Sequence, residues 1–579
     1  MSTSVFTPVD LPLAWRWLGS IVWRLEHAFA RARAAAAPQD TRLRIAFVGL
    51  IFSIAFAVLA VGATRQALFS GRGGETGAPA PADARADLTD RNGQLLAVDL
   101  PHFSLYIDPR EVWDLDATRA ALRSVLPDMQ AKRIDKVLTG DKRSFVAGGL
   151  TPEQRARLHD LGLPGLSFED DERRVYPLGS TASHLIGFSD SGGAGIAGVE
   201  RAFDKDIRGG AGPMPLSIDL RVQAALDDEL RKAAMEFSPI GAVGIVTNVR
   251  TGEVLGLSSW PDFDPNQAGA ANDNERLNRA AASVFEMGST FKSFTVAIGL
   301  DTGVANMNST FDARTPFKLG YRTINDYHAA RKILTLTEVF QHSSNIGTAK
   351  LGEAIGPQRL SAYFNGLGLT RSAKIELKES ATPLTPRKWD DDAVASTSFG
   401  HGMNVSPLAL ASAYGAIVNG GVAVPLTIRK LPDGAKVEGQ RVFSPETSRL
   451  MLQIMRANVA DPIGSGGAAD APGLSVGGKT GTGEKYDPAV RGYSKTKQVS
   501  SFAAVFPTAG GADTPRYFVL ILLDEPHATA KTYGFSTGGW VAAPAAGRVI
   551  DRIAPFLGVK RIPGAPVVKS LAKTASEGM

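Results

Sequence analysis

Ile45 to Ala63 is an uncharged run of 19 residues in a chain of 579, and it restricts the fold before any other feature is considered. At about 1.5 Å of rise per residue, a helix of that length crosses roughly the 30 Å hydrocarbon core of a bilayer. Lipid offers no partner for backbone N–H and C=O groups, so a lone spanning run has to be helical. Ahead of it, Arg16, Arg24, Arg31, Arg33, Arg42 and Arg44 against Asp10, Glu26 and Asp40 give residues 1–44 a net charge of +3. The positive-inside rule then predicts a cytoplasmic N-terminus and export of everything after Arg65. A cleaved signal peptide fits less well, because the lead is long and no small-residue cleavage site clearly follows the run. Trp15, Trp17 and Trp23 among Leu13, Leu18, Ile21, Val22 and Leu25 are compatible with an amphipathic helix on the inner membrane face or with a poorly ordered tail.

The remainder of the chain divides by composition. Residues 64–86, with Gly71-Arg72-Gly73-Gly74 and Ala78-Pro79-Ala80-Pro81-Ala82, have almost nothing to bury and read as a linker. Residues 87–215 read as an extended, non-catalytic α+β pedestal that holds something else away from the membrane. Asn92-Gly93 marks a hairpin turn, Ser104-Leu105-Tyr106-Ile107 a strand, and Ala117 to Val125 and Pro152 to Leu161 helices. From Leu216 a larger domain begins, running to about residue 559. Its elements are a helix through Val222, Leu226 and Leu230, a hairpin of Ala242–Val249 and Glu253–Ser259, a mainly helical stretch, three strands (Leu474–Lys479, Val499–Phe506, Tyr517–Leu523) and a closing helix at Val541–Ile553. Strands split around a helical insert predict an antiparallel sheet flanked by helices, an α+β fold. Residues 560–579 read as a flexible basic tail.

Composition excludes several chemistries. There is no cysteine, hence no disulfide, thiolate nucleophile or cysteine-ligated metal, and the eight histidines show no ligand spacing. No metal or cofactor is expected. Lysine and arginine nowhere cluster with aromatics, so nucleic-acid binding is set aside.

Three short motifs carry the chemistry. Ser289-Thr290-Phe291-Lys292 opens an apolar helical run (Phe291, Phe294, Val296, Ala297, Leu300), which puts serine and lysine on one helical face, a nucleophile beside its base. Gly288 lets the backbone turn sharply, and the helix N-terminus places positive dipole near a developing oxyanion. Such a spacing arises by chance about once or twice in a chain this long. Ser343-Ser344-Asn345 follows a short helix opened by the capping box Thr335 to Glu338. Lys479-Thr480-Gly481-Thr482 lies on an expected strand. Together they form one machine. Lys292 can take the Ser289 proton only if neutral, and burial with a second cation, Lys479, lowers its pKa. Ser343 relays the proton to the leaving amine, and Asn345 holds the substrate backbone. Lys479, Thr480 and Thr482 suit a substrate carboxylate, with Gly481 in the substrate-binding strand between them. The Val476–Thr482 edge can pair with an extended peptide, and the N–H groups of Ser289 and Thr482 form the oxyanion hole.

S-x-x-K, S-D-N and K-T-G in this order are the signature of penicillin-binding proteins and class A β-lactamases, with Ser344 here in place of the middle Asp. Over residues 45–557 the chain resembles the class B penicillin-binding proteins, most closely the FtsI type. The resemblance includes Asp90-Arg91-Asn92-Gly93, Arg174-Val175-Tyr176-Pro177, Gly198-Val199-Glu200, Thr251-Gly252-Glu253, Phe263-Asp264-Pro265-Asn266, Gly400-His401-Gly402 and Gly538-Gly539-Trp540-Val541-Ala542-Ala543-Pro544. Met287 and Ser293 stand where that family often has proline. The resemblance implies a penicillin-binding/serine β-lactamase-like transpeptidase fold on a dimerisation-type pedestal. It implies a septal D,D-transpeptidase that joins peptidoglycan stem peptides through a Ser289 acyl-enzyme and is inhibited by β-lactams. It also implies a single-pass anchor in the bacterial inner membrane, a periplasmic catalytic domain, and an FtsW-type membrane glycosyltransferase with other divisome proteins as partners. An elongation-type transpeptidase shares the same site chemistry. A β-lactamase would need a deacylation motif that is missing after Ser343, and an inactive scaffold or β-lactam sensor would have no need of the intact motifs.

Overall fold

The structure, a computed structural model, describes residues 85–562 apart from 128, 209–211, 320–321, 488–491 and 512, together with Phe56. The expected cytoplasmic tail, the membrane run other than Phe56, the linker up to residue 84 and the tail after residue 562 lie outside the described residues. Among the described residues no helix is long and apolar enough to cross a membrane.

The pedestal is built around one long strand. Its sheet comprises β1 (Leu88–Thr89), β2 (Leu95–Ile107), β3 (Ser144–Leu150), β4 (Leu166–Val175) and β5 (Met214–Pro215). β3 and β4 both run antiparallel to β2, and β1 meets its first residues. The turn at Asn92-Gly93 is as expected: Asp90 N–H donates to Gln94 O at 2.8 Å and Gly93 takes a φ of +86°. The apolar run Leu95–Ala97 and the expected strand Ser104–Ile107 are one strand, because β1 pairs with its first residues and β4 with every residue from Val98 to Ile107. The Ser104–Ile107 part packs under helices Leu115–Val125, Ala131–Leu138 and Pro152–Asp160, where Leu105, Ile107, Leu122, Ile134 and Leu158 share one core.

Outside that core, a buried charge cluster stands beside a second apolar cluster that includes Leu96, Tyr176, Val199 and Phe203. Glu200 is fully buried and accepts from Arg174 Nε at 2.7 Å and from Arg85 Nη2 at 2.6 Å. Arg85 Nη1 also reaches Asp204 at 2.7 Å, and Arg174 Nη1 reaches Asp99 at 3.1 Å. The same segment joins the larger domain. Gly198 N–H donates to Glu379 at 2.9 Å, and the Asn266 side-chain amide brackets the Tyr176 peptide with two bonds of 2.9 Å.

The larger domain holds a five-stranded antiparallel sheet of β6 (Gly241–Asn248), β7 (Val254–Trp260), β8 (Gly477–Asp487), β9 (Gly492–Phe506) and β10 (Tyr517–Asp524). The strand order is β8-β9-β10-β6-β7, so β8 forms an edge. The helices that matter to the site are α1 (Leu220–Phe237), α2 (Lys292–Asp301), α3 (Leu336–Gln341), α4 (Asn345–Ile355), α5 (Asp391–Ser398), α6 (Pro407–Val418), α7 (Pro445–Ala460) and α8 (Ala542–Ile553). Side chains along β10 alternate between two cores. Phe518, Leu520 and Leu522 pack with Phe291, Phe294 and Tyr414 of the helical insert, whereas Val519, Ile521 and Leu523 pack with Leu226 of α1 and Ile550 of α8. A strand covered on both faces has to be apolar at every position, which is why Tyr517–Leu523 reads as an unbroken run.

Expected boundaries change in both β8 and β9, and β9 begins at Gly492 instead of Val499. The strand expected at Leu474–Lys479 begins at Gly477 and runs on to Asp487, so Val476 is not part of the edge. Ser475 has a φ of +50°, which breaks extension before Gly477, and register with β9 then continues from Gly477↔Val505 to Asp487↔Gly492. Three-residue strands at Thr310–Asp312, Phe317–Leu319, Arg322–Ile324 and Ile333–Thr335, too short to show alternation, form two small hairpin-like pairs beside the insert.

Candidate active site

Ser289 belongs to a 3-10 turn, Gly288–Phe291, and Lys292 is the first residue of α2. The apolar spacing predicts both within the helix itself. The tighter turn serves the pair at least as well, because side chains three apart eclipse in a 3-10 helix. Close backbone packing imposes the turn. Gly288 has a φ of +53°, and a Cβ there would lie 2.3 Å from Thr482 O. On β8 the period of two puts Lys479, Gly481 and Gly483 on one face. The two glycines are where the nucleophile segment passes, since their Cβ atoms would lie 2.6 Å from Met287 O and 2.0 Å from Glu286 O. Gly400, from the Gly400-His401-Gly402 motif, closes on the other side, with a φ of +90° and space for no Cβ against Gly288 O.

Fully buried Tyr414 of α6 donates its hydroxyl to Thr290 O at 2.7 Å and pairs with Ser293 Oγ at 2.8 Å. Ser293 therefore does something a proline could not: it satisfies a buried phenol beneath the nucleophile turn. Met287, the other departure, is buried and its carbonyl accepts from Thr290 Oγ1 at 2.9 Å.

The two lysines meet at Ser343. Lys292 Nζ donates to Asn345 Oδ1 at 2.7 Å and to Ser343 O, and lies 3.1 Å from Ser343 Oγ. Lys479 Nζ lies 3.0 Å from the same Oγ. Ser343 follows α3 with a φ of +54°, a left-handed backbone costly for a residue with a Cβ and characteristic of sites where neighbours over-determine the geometry. That conformation points both its carbonyl and its hydroxyl at Lys292. Both lysines are wholly buried. Burial, reinforced by the charge of Lys479, holds the Lys292 ammonium far below the ordinary lysine range, and burial pushes Lys479 down to about 7.

A cleft of about 1170 Å³ opens above, lined by Ser289, Ser343, Asn345, Thr480 and Thr482 among others. The lysines are not in its lining; Ser343, which contacts both, and Asn345, which contacts Lys292, are. Thr480 Oγ1 pairs with Ser465 Oγ at 2.8 Å, and Thr482 Oγ1 accepts from Gly538 N–H at 3.3 Å. Asn345 is busier than its motif suggests: besides accepting from Lys292, it donates to Asn325 O at 3.1 Å, which leaves one amide N–H for a ligand.

Other residues at the site carry no motif of their own. Asp326 accepts from Ser344 Oγ at 2.8 Å and Ile346 N–H at 2.9 Å. Glu286, three residues before Ser289, accepts from Gly402 N–H at 3.0 Å and Tyr493 O–H at 2.8 Å, tying the start of β9 to the nucleophile segment. Its placement next to the S-x-x-K motif is the only signal of this in the sequence.

Comparison with known proteins agrees with this geometry. The family model of the penicillin binding protein transpeptidase domain matches residues 242–551, and that of the penicillin-binding protein dimerisation domain matches residues 81–219. A probable peptidoglycan D,D-transpeptidase FtsI of Caulobacter vibrioides is 66% identical over 571 residues, covering 97% of each chain. The peptidoglycan D,D-transpeptidase FtsI of Escherichia coli K12 is 32% identical over 505 residues, covering 81% of this chain and 83% of its own. In fold, the chain is similar to the crystal structure of penicillin-binding protein 3 from Mycobacterium tuberculosis complexed with aztreonam, with a TM-score of 0.65 at 24% identity over 85% of this chain and 99% of that one. An α+β transpeptidase sheet, the three motifs gathered at one cleft and these matches lead to one assignment: the chain belongs to the class B penicillin-binding proteins of the FtsI type.

Proposed function

We infer that the chain is a peptidoglycan D,D-transpeptidase of cell division, with Ser289 as the acylated residue. The observation that carries the catalytic reading is the sharing of one hydroxyl, Ser343 Oγ, by two buried lysines. A neutral Lys292 has two N–H bonds, and Ser343 O and Asn345 Oδ1 accept both, which leaves its lone pair free to take a proton. Ser289 Oγ attacks the carbonyl between the two terminal D-alanines as its proton passes to Lys292. The oxyanion forms against the N–H groups of Ser289 and Thr482. As the C–N bond breaks, the proton travels from Lys292 through Ser343 Oγ to the departing amine, and free D-alanine leaves. An acceptor amine of a second stem peptide then attacks the ester, loses its proton along the reverse path, and restores the Ser289 hydroxyl. Lys479, with Thr480 and Thr482, holds the terminal carboxylate of the donor, and the carboxylate of a β-lactam takes the same place. Gly481, between Thr480 and Thr482 in the donor-binding strand, leaves room for the nucleophile segment, since a Cβ there would lie 2.6 Å from Met287 O.

The uncharged run Ile45–Ala63 supports a single-pass anchor in the inner membrane with the catalytic domain in the periplasm. The pedestal and transpeptidase domains match family models at residues 81–219 and 242–551, and neither activity is glycan polymerisation. An FtsW-type glycosyltransferase, with other divisome proteins at the anchor and pedestal, is the partner this organisation fits.

The lysine pair makes a pH prediction. Acylation by a fluorescent penicillin should rise with pH as Lys292 loses its proton, at a pH well below the ordinary lysine value of 10.5. It should fall again as Lys479, held near 7, loses the charge that binds the carboxylate. The second-order acylation rate constant is therefore expected to be bell-shaped, reporting the pair as a unit. A rate still climbing through the alkaline range toward 10.5 would contradict a depressed Lys292.

A further inference from the structure

We propose that Asp326 is a positioning residue for this reaction: from a loop outside the three motifs it seats the Ser343–Asn345 turn and places a negative charge near Lys292. The proposal rests on the assignment of Lys292 as base. In the middle of the triplet, Ser344 is buried and takes no part in lining the cleft; its hydroxyl donates to Asp326 Oδ2 at 2.8 Å and accepts from Gly347 N–H at 3.0 Å. The other carboxylate oxygen accepts from Ile346 N–H at 2.9 Å. The next residue back, Asn325, takes the Asn345 amide on its carbonyl at 3.1 Å. Residues 344, 345 and 346 are thus each bonded to the 325–326 dipeptide, and Asn345, held between the two Asp326 contacts, passes its own oxygen to Lys292 at 2.7 Å.

Two physical needs meet here. The left-handed backbone of Ser343 persists only if its surroundings hold it, and the bonds just after it supply that hold. The carboxylate also sits at the first turn of α4, where the exposed N–H groups favour an anion. The charged and titratable groups facing Lys292 are Lys479 on β8, His401 of the Gly400–Gly402 turn and Asp326; His342 also faces Asp326. Of these, Asp326 alone favours the protonated amine, opposing both burial and Lys479. A base weakened too far takes a proton poorly, so this opposing charge keeps Lys292 basic enough to deprotonate a hydroxyl.

The test uses the full-length protein in detergent and measures the acylation rate constant for a fluorescent penicillin against pH, together with the thermal unfolding midpoint. Asp326→Asn can keep both hydrogen bonds, with its amide oxygen toward Ile346, while losing the charge. It should retain most of the plateau rate but move the acid limb to lower pH. Asp326→Ala loses the bonds as well, and should acylate about tenfold to a hundredfold more slowly at every pH, as a misplaced catalytic group does. Wild-type rates and profiles in both variants would overturn the proposal, as would a rate loss that only tracks lost thermal stability with an unmoved acid limb. Lys292→Met is run alongside. If it acylates like wild type, the base assignment itself fails; if it is slow while the Asp326 variants are normal, only the role of Asp326 fails.

Discussion

Lys292→Met is expected to lower the acylation rate constant about a thousandfold, which is about 4 kcal/mol of lost transition-state stabilisation. Methionine matches the length and fills the same buried space, so the loss belongs to the proton and not to packing. Ser343 O and Asn345 Oδ1 lose their donor, at a cost of about 1–3 kcal/mol each if left unpaired. Removing an amine that burial disfavours offsets part of that. The unfolding midpoint should accordingly move by only a few degrees while labelling collapses. Rapid mixing with a fluorescent penicillin separates the two quantities. A variant still acylating within about tenfold of wild type would fall short of what a general base contributes. The proton would then have to leave by Lys479 through Ser343.

Glu200→Ala is expected to cost about 3–5 kcal/mol of stability, the usual result of stranding buried charge. Glu200 accepts from the guanidinium groups of both Arg85 and Arg174, through bonds of 2.6–3.0 Å, and it has no exposure to water. Without it, two guanidinium groups at the pedestal base retain only partial compensation from Asp204 and Asp99. For a module of this size the transition should fall by about 10 °C or more in a thermal scan of the full chain. Labelling by penicillin at low temperature should continue, because the cleft is lined from Ser289 onward and by no pedestal residue. An unchanged scan would mean that the cluster is hydrated and structurally unimportant.

The same cluster marks the limit of what a sequence discloses. Arg174-Val175-Tyr176-Pro177 and Gly198-Val199-Glu200 stand out as fragments of a family pattern, yet nothing local to them indicates that Glu200 binds Arg85, 115 residues earlier. Pairing across that distance is decided by topology. Phe263-Asp264-Pro265-Asn266 is likewise visible but mute until the fold brings Asn266 around Tyr176. The catalytic residues are far more legible, because S-x-x-K and K-T-G encode their geometry within one turn or one strand. Even there the chain hides the 3-10 turn under Ser289, which depends on glycines of three separate segments meeting. Asp326 is invisible for a simpler reason: a single aspartate in a loop has no periodicity, and its partner Ser344 looks like a neutral replacement. Antiparallel architecture, by contrast, follows from strands split around a helical insert, and the expected strand Tyr517–Leu523 proves to be covered on both faces.

The most direct test of the whole account is to locate the acyl group. After reaction of the full-length protein with a penicillin, proteolysis and mass spectrometry should place a single penicilloyl adduct on the peptide carrying Ser289, and Ser289→Ala should carry none. An adduct on any other residue, or undiminished labelling of the alanine variant, would contradict the assignment of Ser289 as the nucleophile.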